Sequence, residues 1–252
     1  MGTEEKFVLR TQPENHNTQF IEAMATYRFV RNLTEGKRVL DAGCAFGYGS
    51  YVLAQNALNV TGVDFDEKTL LTARKDYSKD NLSYVLSDLT RLAFIDECFE
   101  VACLFEVLSI VPQYRKLLGE MHRVLKRGGA LLLSTRNKIS DIPITNNGWH
   151  TAFSPDELKA LLKESGFRIR KLHSLSRPEE VYLLEAKLKK LRKLDLLHMA
   201  RYIPRPLISM GVHLVSKCAG ITPPRLLKDE DFVTSAGYVE CAPGILVICE
   251  KI

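Results

Sequence analysis

Asp41 closes a short apolar run, Lys37-Arg38-Val39-Leu40-Asp41, and stands directly ahead of a turn that carries Gly43, Gly47 and Gly49. Glycines let a backbone turn tightly and approach a ligand closely. Gly43, Cys44, Ala45, Gly47 and Tyr48 are therefore candidate ligand contacts. A dinucleotide site aims bare N–H groups and a helix N-terminus at an anionic pyrophosphate, and a carboxylate ahead of the turn would repel that ligand. The same carboxylate attracts a ligand that lacks phosphate and carries an ammonium and a sulfonium. The order Asp, Gly, Gly also departs from the G-x-G-x-x-G fingerprint.

Two further acids follow at matching places. Asp64 comes 21 residues after Gly43 at the end of Asn59 to Asp64, where a carboxylate accepts hydrogen bonds from both ribose hydroxyls. Asp88, in Leu86-Ser87-Asp88-Leu89, can accept from an adenine amino group. Taken singly, each acid could merely cap a helix or turn. Three of them at three successive strand ends form a constellation suited to a cationic nucleoside, and S-adenosylmethionine is such a molecule.

The elements that must position these residues are legible from hydropathy. Phe20, Ala23, Met24, Tyr27, Val30 and Leu33 recur at helical spacing over residues 14–33 and predict an amphipathic helix ahead of the sheet. Strands are expected at 37–41, 59–64, 82–86, 99–105 and 130–134, with another beginning at 167–172 and a last one at 244–250. Helices are expected at 48–56, after an Asp66 cap, and at 112–126, which Gly128-Gly129 ends. Ser154-Pro155-Asp156-Glu157 starts one more, with serine as N-cap, proline first and glutamate three residues on. Such alternation means βαβ units, a mostly parallel sheet and right-handed crossovers, with ligands at the carboxyl ends of the strands.

With those residues in place, the chain resembles the class I S-adenosylmethionine-dependent methyltransferases over most of its length. Val39 to Gly49 is similar to the family's first motif, Asp64 to its ribose-binding acid, and Asp88 with Leu89 to its adenine-contacting pair. Leu104-Phe105-Glu106-Val107 resembles the segment after the fourth strand, and Leu125 to Gly129 the turn before the fifth. The resemblance implies an α/β, Rossmann-like class I methyltransferase fold in a single domain over 1–252. It would comprise an N-terminal lid helix (14–33), a core (37–175), a basic helical insertion (178–227) and a final strand (244–250). The sheet would be seven-stranded and mostly parallel with an antiparallel last strand. It also implies S-adenosyl-L-methionine as cofactor, S-adenosyl-L-homocysteine as product, and Phe65, Phe105 and Tyr27 as further cofactor contacts. Ala45 replaces the family's usual second glycine, a change that a backbone of negative φ tolerates. Ser109-Ile110 follows Val107-Leu108 where many relatives carry a histidine.

Shorter motifs are similar to methyltransferases of glycan and polysaccharide biosynthesis: Glu14-Asn15-His16-Asn17, Ser134 to Lys138, and Trp149-His150 ahead of Phe153 to Leu158. The expected reaction is O-methylation of a sugar, a glycan intermediate or a related small metabolite. A nucleotide-dependent oxidoreductase and a non-catalytic S-adenosylmethionine-binding module are the alternatives. Methyl transfer from a sulfonium is an in-line displacement in which alignment supplies much of the acceleration. A base serves to remove a proton from the acceptor. His150, in the loop after the fifth strand, Glu106, and His16, just before the lid helix, are the catalytic candidates.

Composition bounds the remaining classes. Hydrophobic residues at 46% and charged residues at 26% match soluble globular averages and leave no room for a disordered or fibrous chain. No apolar run follows the charges of Met1 to Arg10, Lys6 occupies the place where a myristoylation signal needs Ser or Thr, and Leu207 to Ser216 is about half of the ~20 residues of a membrane span. Cys44, Cys98, Cys103, Cys218, Cys241 and Cys249 form no CxxC pair, so no metal is expected and they read as reduced thiols of a cytoplasmic protein. Charge is uneven: Lys163 to Lys228 holds 15 Lys plus Arg against 5 Asp plus Glu. Within it, Val181, Leu184, Leu188, Leu191 and Leu194 share a helical face bordered by Lys187, Lys189, Lys190, Arg192 and Lys193. That face suits packing or a homodimer contact. Its basic rim suits peripheral contact with anionic membrane lipid or a phosphorylated acceptor. Nucleic acid is not expected, because the region has no interleaved aromatics.

Overall fold

The computed structural model describes residues 18–138, 151–175, 234–236 and 244–252. The chain divides into two units, Met1–Ser176 with Thr234–Ile252, and Arg177–Val233. All described residues belong to the first. The expected insertion at 178–227 and the start of the lid helix at 14–17 lie outside them.

In chain order the described elements are α1 (Thr18–Val30), a 3-10 turn (Arg31–Thr34), β1 (Arg38–Ala42), α2 (Tyr48–Leu53), β2 (Asn59–Asp64), α3 (Glu67–Asp76), β3 (Leu82–Leu86), β4 (Phe99–Phe105), α4 (Tyr114–Val124), β5 (Leu125–Arg136), α5 (Pro155–Glu164), β6 (Phe167–Leu175), β7 (Thr234–Ala236) and β8 (Gly244–Lys251). The sheet order is β3-β2-β1-β4-β5-β8-β6-β7. β1 to β5 pair in parallel, and β8 runs antiparallel between β5 and β6. The seven expected strands are all present. β7, three residues long, adds an eighth at the outer edge of β6, and no hydropathy signal in so short a segment distinguishes it from a loop.

β1 and β4 are buried on both faces, as central parallel strands covered by helices must be. Strand alternation divides β1 between two cores. Leu40 and Ala42 join Leu117, Leu118, Met121, Leu158 and Leu162 of α4 and α5. Val39 faces the other way, into the core of Tyr27, Val30, Tyr48, Val52 and Leu53 from α1 and α2. Asp41 shares the parity of Val39, so β1 delivers its carboxylate to the α1–α2 face.

Helix starts follow their sequence signals. Asp66 Oδ1 accepts from Lys68 N at 2.9 Å, and the Ser154–Glu157 capping box is complete at 3.2 and 2.8 Å. Three helix ends fall short of expectation: α1 passes into the 3-10 turn after Val30 rather than running to 33, α2 stops at Leu53 rather than 56, and α4 also ends early. Leu125 adopts an extended conformation and pairs with Phe99, so α4 stops at Val124 rather than 126. The chain then bulges through Gly128, at φ 73°, and re-pairs at Ala130 with Val101, which lengthens β5 beyond the expected 130–134.

Candidate functional site

The carboxyl ends of β1, β2 and β3 bring the three predicted acids to one edge of the sheet. Asp41 is fully buried. Its Oδ1 accepts from the Tyr27 hydroxyl at 3.0 Å and its Oδ2 from Ser50 Oγ at 2.6 Å. Burial raises the carboxyl to about 6, against the lowering effect of both donors, and the nearby Asp64 charge adds to the rise. Ser50 closes the glycine segment, and nothing in its type or spacing marked it for a role.

Tyr27 reaches Asp41 because the second residue of α2, Gly49, has no side chain. A Cβ on Gly49 would fall inside the Tyr27 ring, so glycine there makes room for α1 against α2. Edge contacts to Phe105 at 4.9 Å and Tyr48 at 6.0 Å fix the ring from two sides. The turn itself holds Gly43 at φ 83°, Ala45 at 46° and Gly47 at 82°. Ala45 therefore corrects the sequence reading. It keeps the left-handed backbone of the glycine it replaces, at a steric cost of roughly 1–2 kcal/mol. The conformation survives because Ala45 N donates to Asp64 Oδ2 at 3.0 Å, while Gly43 N and Cys44 N donate to Val63 O. Cys44 is buried, and that burial raises its thiol well above the ordinary range.

Asp64 thus ties β2 to the glycine turn, and its Oδ1 accepts from Asp66 N at 3.1 Å. Burial raises its carboxyl despite these backbone donors. Phe65, next along, is 61% exposed, which leaves its ring open at the edge. Asp88 is exposed. Its Oδ1 accepts from Thr90 N and Oγ1 at 2.8 and 2.9 Å, and these bonds hold its carboxyl below the ordinary range. Leu89 and Phe105 are buried.

Glu106 takes a left-handed backbone, φ 58°, just past β4. Its N–H donates to Ser134 O, its Oε1 accepts from Ser134 Oγ at 3.0 Å, and Oε2 lies 3.5 Å from Arg136 Nε. Arg136 also faces Glu22 of α1 at 3.9 Å. This arrangement ties the ends of β4 and β5 to α1. Sequence reasoning named Glu106 but missed Ser134, Arg136 and Glu22 as its setting. His16 and His150 lie outside the described residues. Among the described residues no cluster of three or more metal-ligating side chains occurs, and no helix is long and apolar enough to cross a membrane.

A family model described as a methyltransferase domain matches residues 40–133, which span β1 to β5 and hold all three acids. A probable S-adenosylmethionine-dependent methyltransferase of Mycolicibacterium smegmatis is 31% identical over 159 residues, covering 61% of this chain and 60% of the relative. A ubiquinone biosynthesis O-methyltransferase of Pseudomonas aeruginosa is 28% identical over 159 residues, covering 56% of this chain and 68% of the relative. The chain thus spans about 60% of the mycobacterial relative's length. Among solved structures, an S-adenosylmethionine-dependent methyltransferase from Mesorhizobium loti superposes with a TM-score of 0.58 at 17% identity, covering 90% of this chain and 98% of that one. At that identity the likeness concerns the fold.

Proposed function

We propose that this chain is a class I S-adenosylmethionine-dependent methyltransferase, a reading that the match of residues 40–133 and the similar methyltransferases support, and that it binds S-adenosylmethionine along the carboxyl ends of β1 to β3 and methylates an oxygen of a small acceptor. A sugar, a glycan intermediate or a related metabolite is the acceptor class. The observation that carries the reading is the set of three acids at consecutive strand ends around a turn with three left-handed residues. Two of those acids are buried, and one stands ahead of a helix N-terminus where a pyrophosphate would be repelled.

The donor set fits the cofactor. Asp64 would hold the ribose hydroxyls, Asp88 the adenine amino group, and Phe65 and Leu89 the adenine faces, while the buried charge of Asp41 would attract the ammonium end through the turn. Gly43, Cys44, Ala45, Gly47 and Tyr48 would supply the backbone of the turn, with Tyr27 and Phe105 closing the site from α1 and β4. When bound, the cofactor supplies an electrophilic methyl group carried on a sulfonium. The chain's task is then to align an acceptor oxygen and to exclude water.

Glu106, engaged by Ser134 and Arg136, is suited to holding the β4–β5 edge and the lid together. A proton taken from an acceptor hydroxyl falls to His150, or to His16 at the lid. The basic rim from Lys187 to Lys193 would raise the local concentration of a phosphorylated or lipid-linked acceptor. The test is transfer of a labelled methyl group from S-adenosylmethionine to fractionated glycan and small-molecule extracts. Label in a glycan fraction supports the acceptor class, and label in a quinone fraction instead overturns it. Cofactor binding without transfer to any fraction favours a non-catalytic binding module.

A further inference from the structure

Resting on the cofactor reading above, we propose that Tyr27 and Ser50 are positioning residues that keep Asp41 ionised for a cationic ligand, so that seating of the N-terminal helix and the charge of the cofactor site are one event. Three observations carry it. Asp41 has no exposed surface, and desolvation of that kind favours the neutral carboxyl. Each of its oxygens meets a hydroxyl donor, at 3.0 Å from α1 and 2.6 Å from α2. Hydrogen bonds donated to the charged form favour that form. Finally, the Tyr27 ring is held by Phe105 and Tyr48 and by the space that Gly49 leaves, so its hydroxyl is aimed by packing rather than by chance.

The groups facing Asp41 come from every neighbouring element. Tyr27 lies on α1, Ser50 on α2, Cys44 on the turn, Asp64 on β2, Tyr84 on β3, and Cys103 on β4, where it pairs with Asp41 in register. Burial raises Tyr27, Cys44, Tyr84 and Cys103, so all four stay neutral near pH 7 and Tyr27 stays a donor. Asp64 is the one of these neighbours that opposes ionisation by charge. The carboxyl reaches about 6 with both donors present, and loss of either donor moves its protonation toward neutral pH. Because Tyr27 belongs to α1, unseating that helix removes one of the two donors. Glu22, facing Arg136 at 3.9 Å, is a further polar tie of the same helix.

The experiment is calorimetric titration of the full chain with S-adenosylmethionine from pH 5 to 9, for the parent, Tyr27→Phe and Ser50→Ala. Thermal unfolding checks that each variant folds. The parent should lose affinity as pH falls through about 6. Each variant should lose it at a pH higher by about one unit, since a hydrogen bond to a charged group has that scale. At pH 9 all three affinities should converge. A variant weakened by the same factor at every pH shows that the ring or hydroxyl acts through packing alone, and overturns the proposal. A variant that binds as the parent does at every pH overturns it as well. If Tyr27→Phe fails to fold, Ser50→Ala decides by the same criteria. A parent that binds no S-adenosylmethionine at any pH contradicts the cofactor reading itself, which separates the two failures.

Discussion

Asp41→Asn should stabilise the fold while damaging the site. The carboxyl titrates near 3.8 when unfolded and near 6 when folded. Between those values the folded state binds more protons, so stability falls as pH rises through the window. Above pH 6 the whole cost is present. Two pH units correspond to about 3 kcal/mol at most, at about 1.4 kcal/mol each. Asparagine removes the charge and keeps the shape. Its oxygen can accept from Tyr27, and its amide can donate to Ser50, whose hydroxyl accepts as readily as it donates. Urea denaturation at pH 7.5 should therefore place Asp41→Asn above the parent, by up to about 3 kcal/mol, and the gap should shrink toward pH 4 as the parent carboxyl protonates. Affinity for S-adenosylmethionine at pH 7.5 should fall by roughly 10- to 100-fold, the scale of an interaction with a charged group. A variant less stable than the parent, with cofactor affinity intact, would refute the reasoning and make Asp41 a structural brace.

Three further outcomes are expected. Ala45→Gly relieves a left-handed alanine at φ 46° and should raise stability by up to about 1 kcal/mol, after the extra freedom of glycine in the unfolded chain is set against it; chemical denaturation measures this, with cofactor affinity unchanged within about twofold. Asp64→Ala should weaken S-adenosylmethionine binding by a few kcal/mol at most, because about two hydrogen bonds to a charged acceptor are lost; unchanged affinity in a folded variant removes Asp64 from the ribose site. Replacing Lys187, Lys189, Lys190, Arg192 and Lys193 with Gln should weaken acceptor use or sedimentation with anionic vesicles, more at low salt than at high. Equal cofactor affinity is expected in that variant, and a changed oligomeric state with turnover and vesicle binding intact makes the rim a packing element.

What the sequence disclosed follows from what each signal depends on. The strands at 59–64, 82–86 and 99–105 lie where hydropathy put them, because apolar runs bounded by polar turns leave little freedom in register. Asp66 and Ser154 cap the expected helices because an N-cap is a local bond between near neighbours. The three acids were legible because strand ends and glycine turns fix their spacing along the chain. By contrast, the partners of Asp41 and Glu106 were hidden. Tyr27 and Ser50 reach Asp41, and Ser134, Arg136 and Glu22 surround Glu106, by tertiary packing, which leaves no periodic trace. Ala45 was misread for the same reason. Its backbone is set by the Asp64 carboxylate across the turn, against the local preference of alanine. The end of α4 at Val124 likewise depends on Leu125 pairing with Phe99 in a distant strand.

Acids at three strand ends are proposed to hold a phosphate-free, cationic nucleoside. Calorimetric titration of the full chain at pH 7.5 with S-adenosylmethionine, and separately with NAD, tests it most directly. One saturable site for S-adenosylmethionine and no measurable binding of NAD are expected. Saturable binding of NAD with none of S-adenosylmethionine would contradict it, and would return the glycine turn to the oxidoreductase reading.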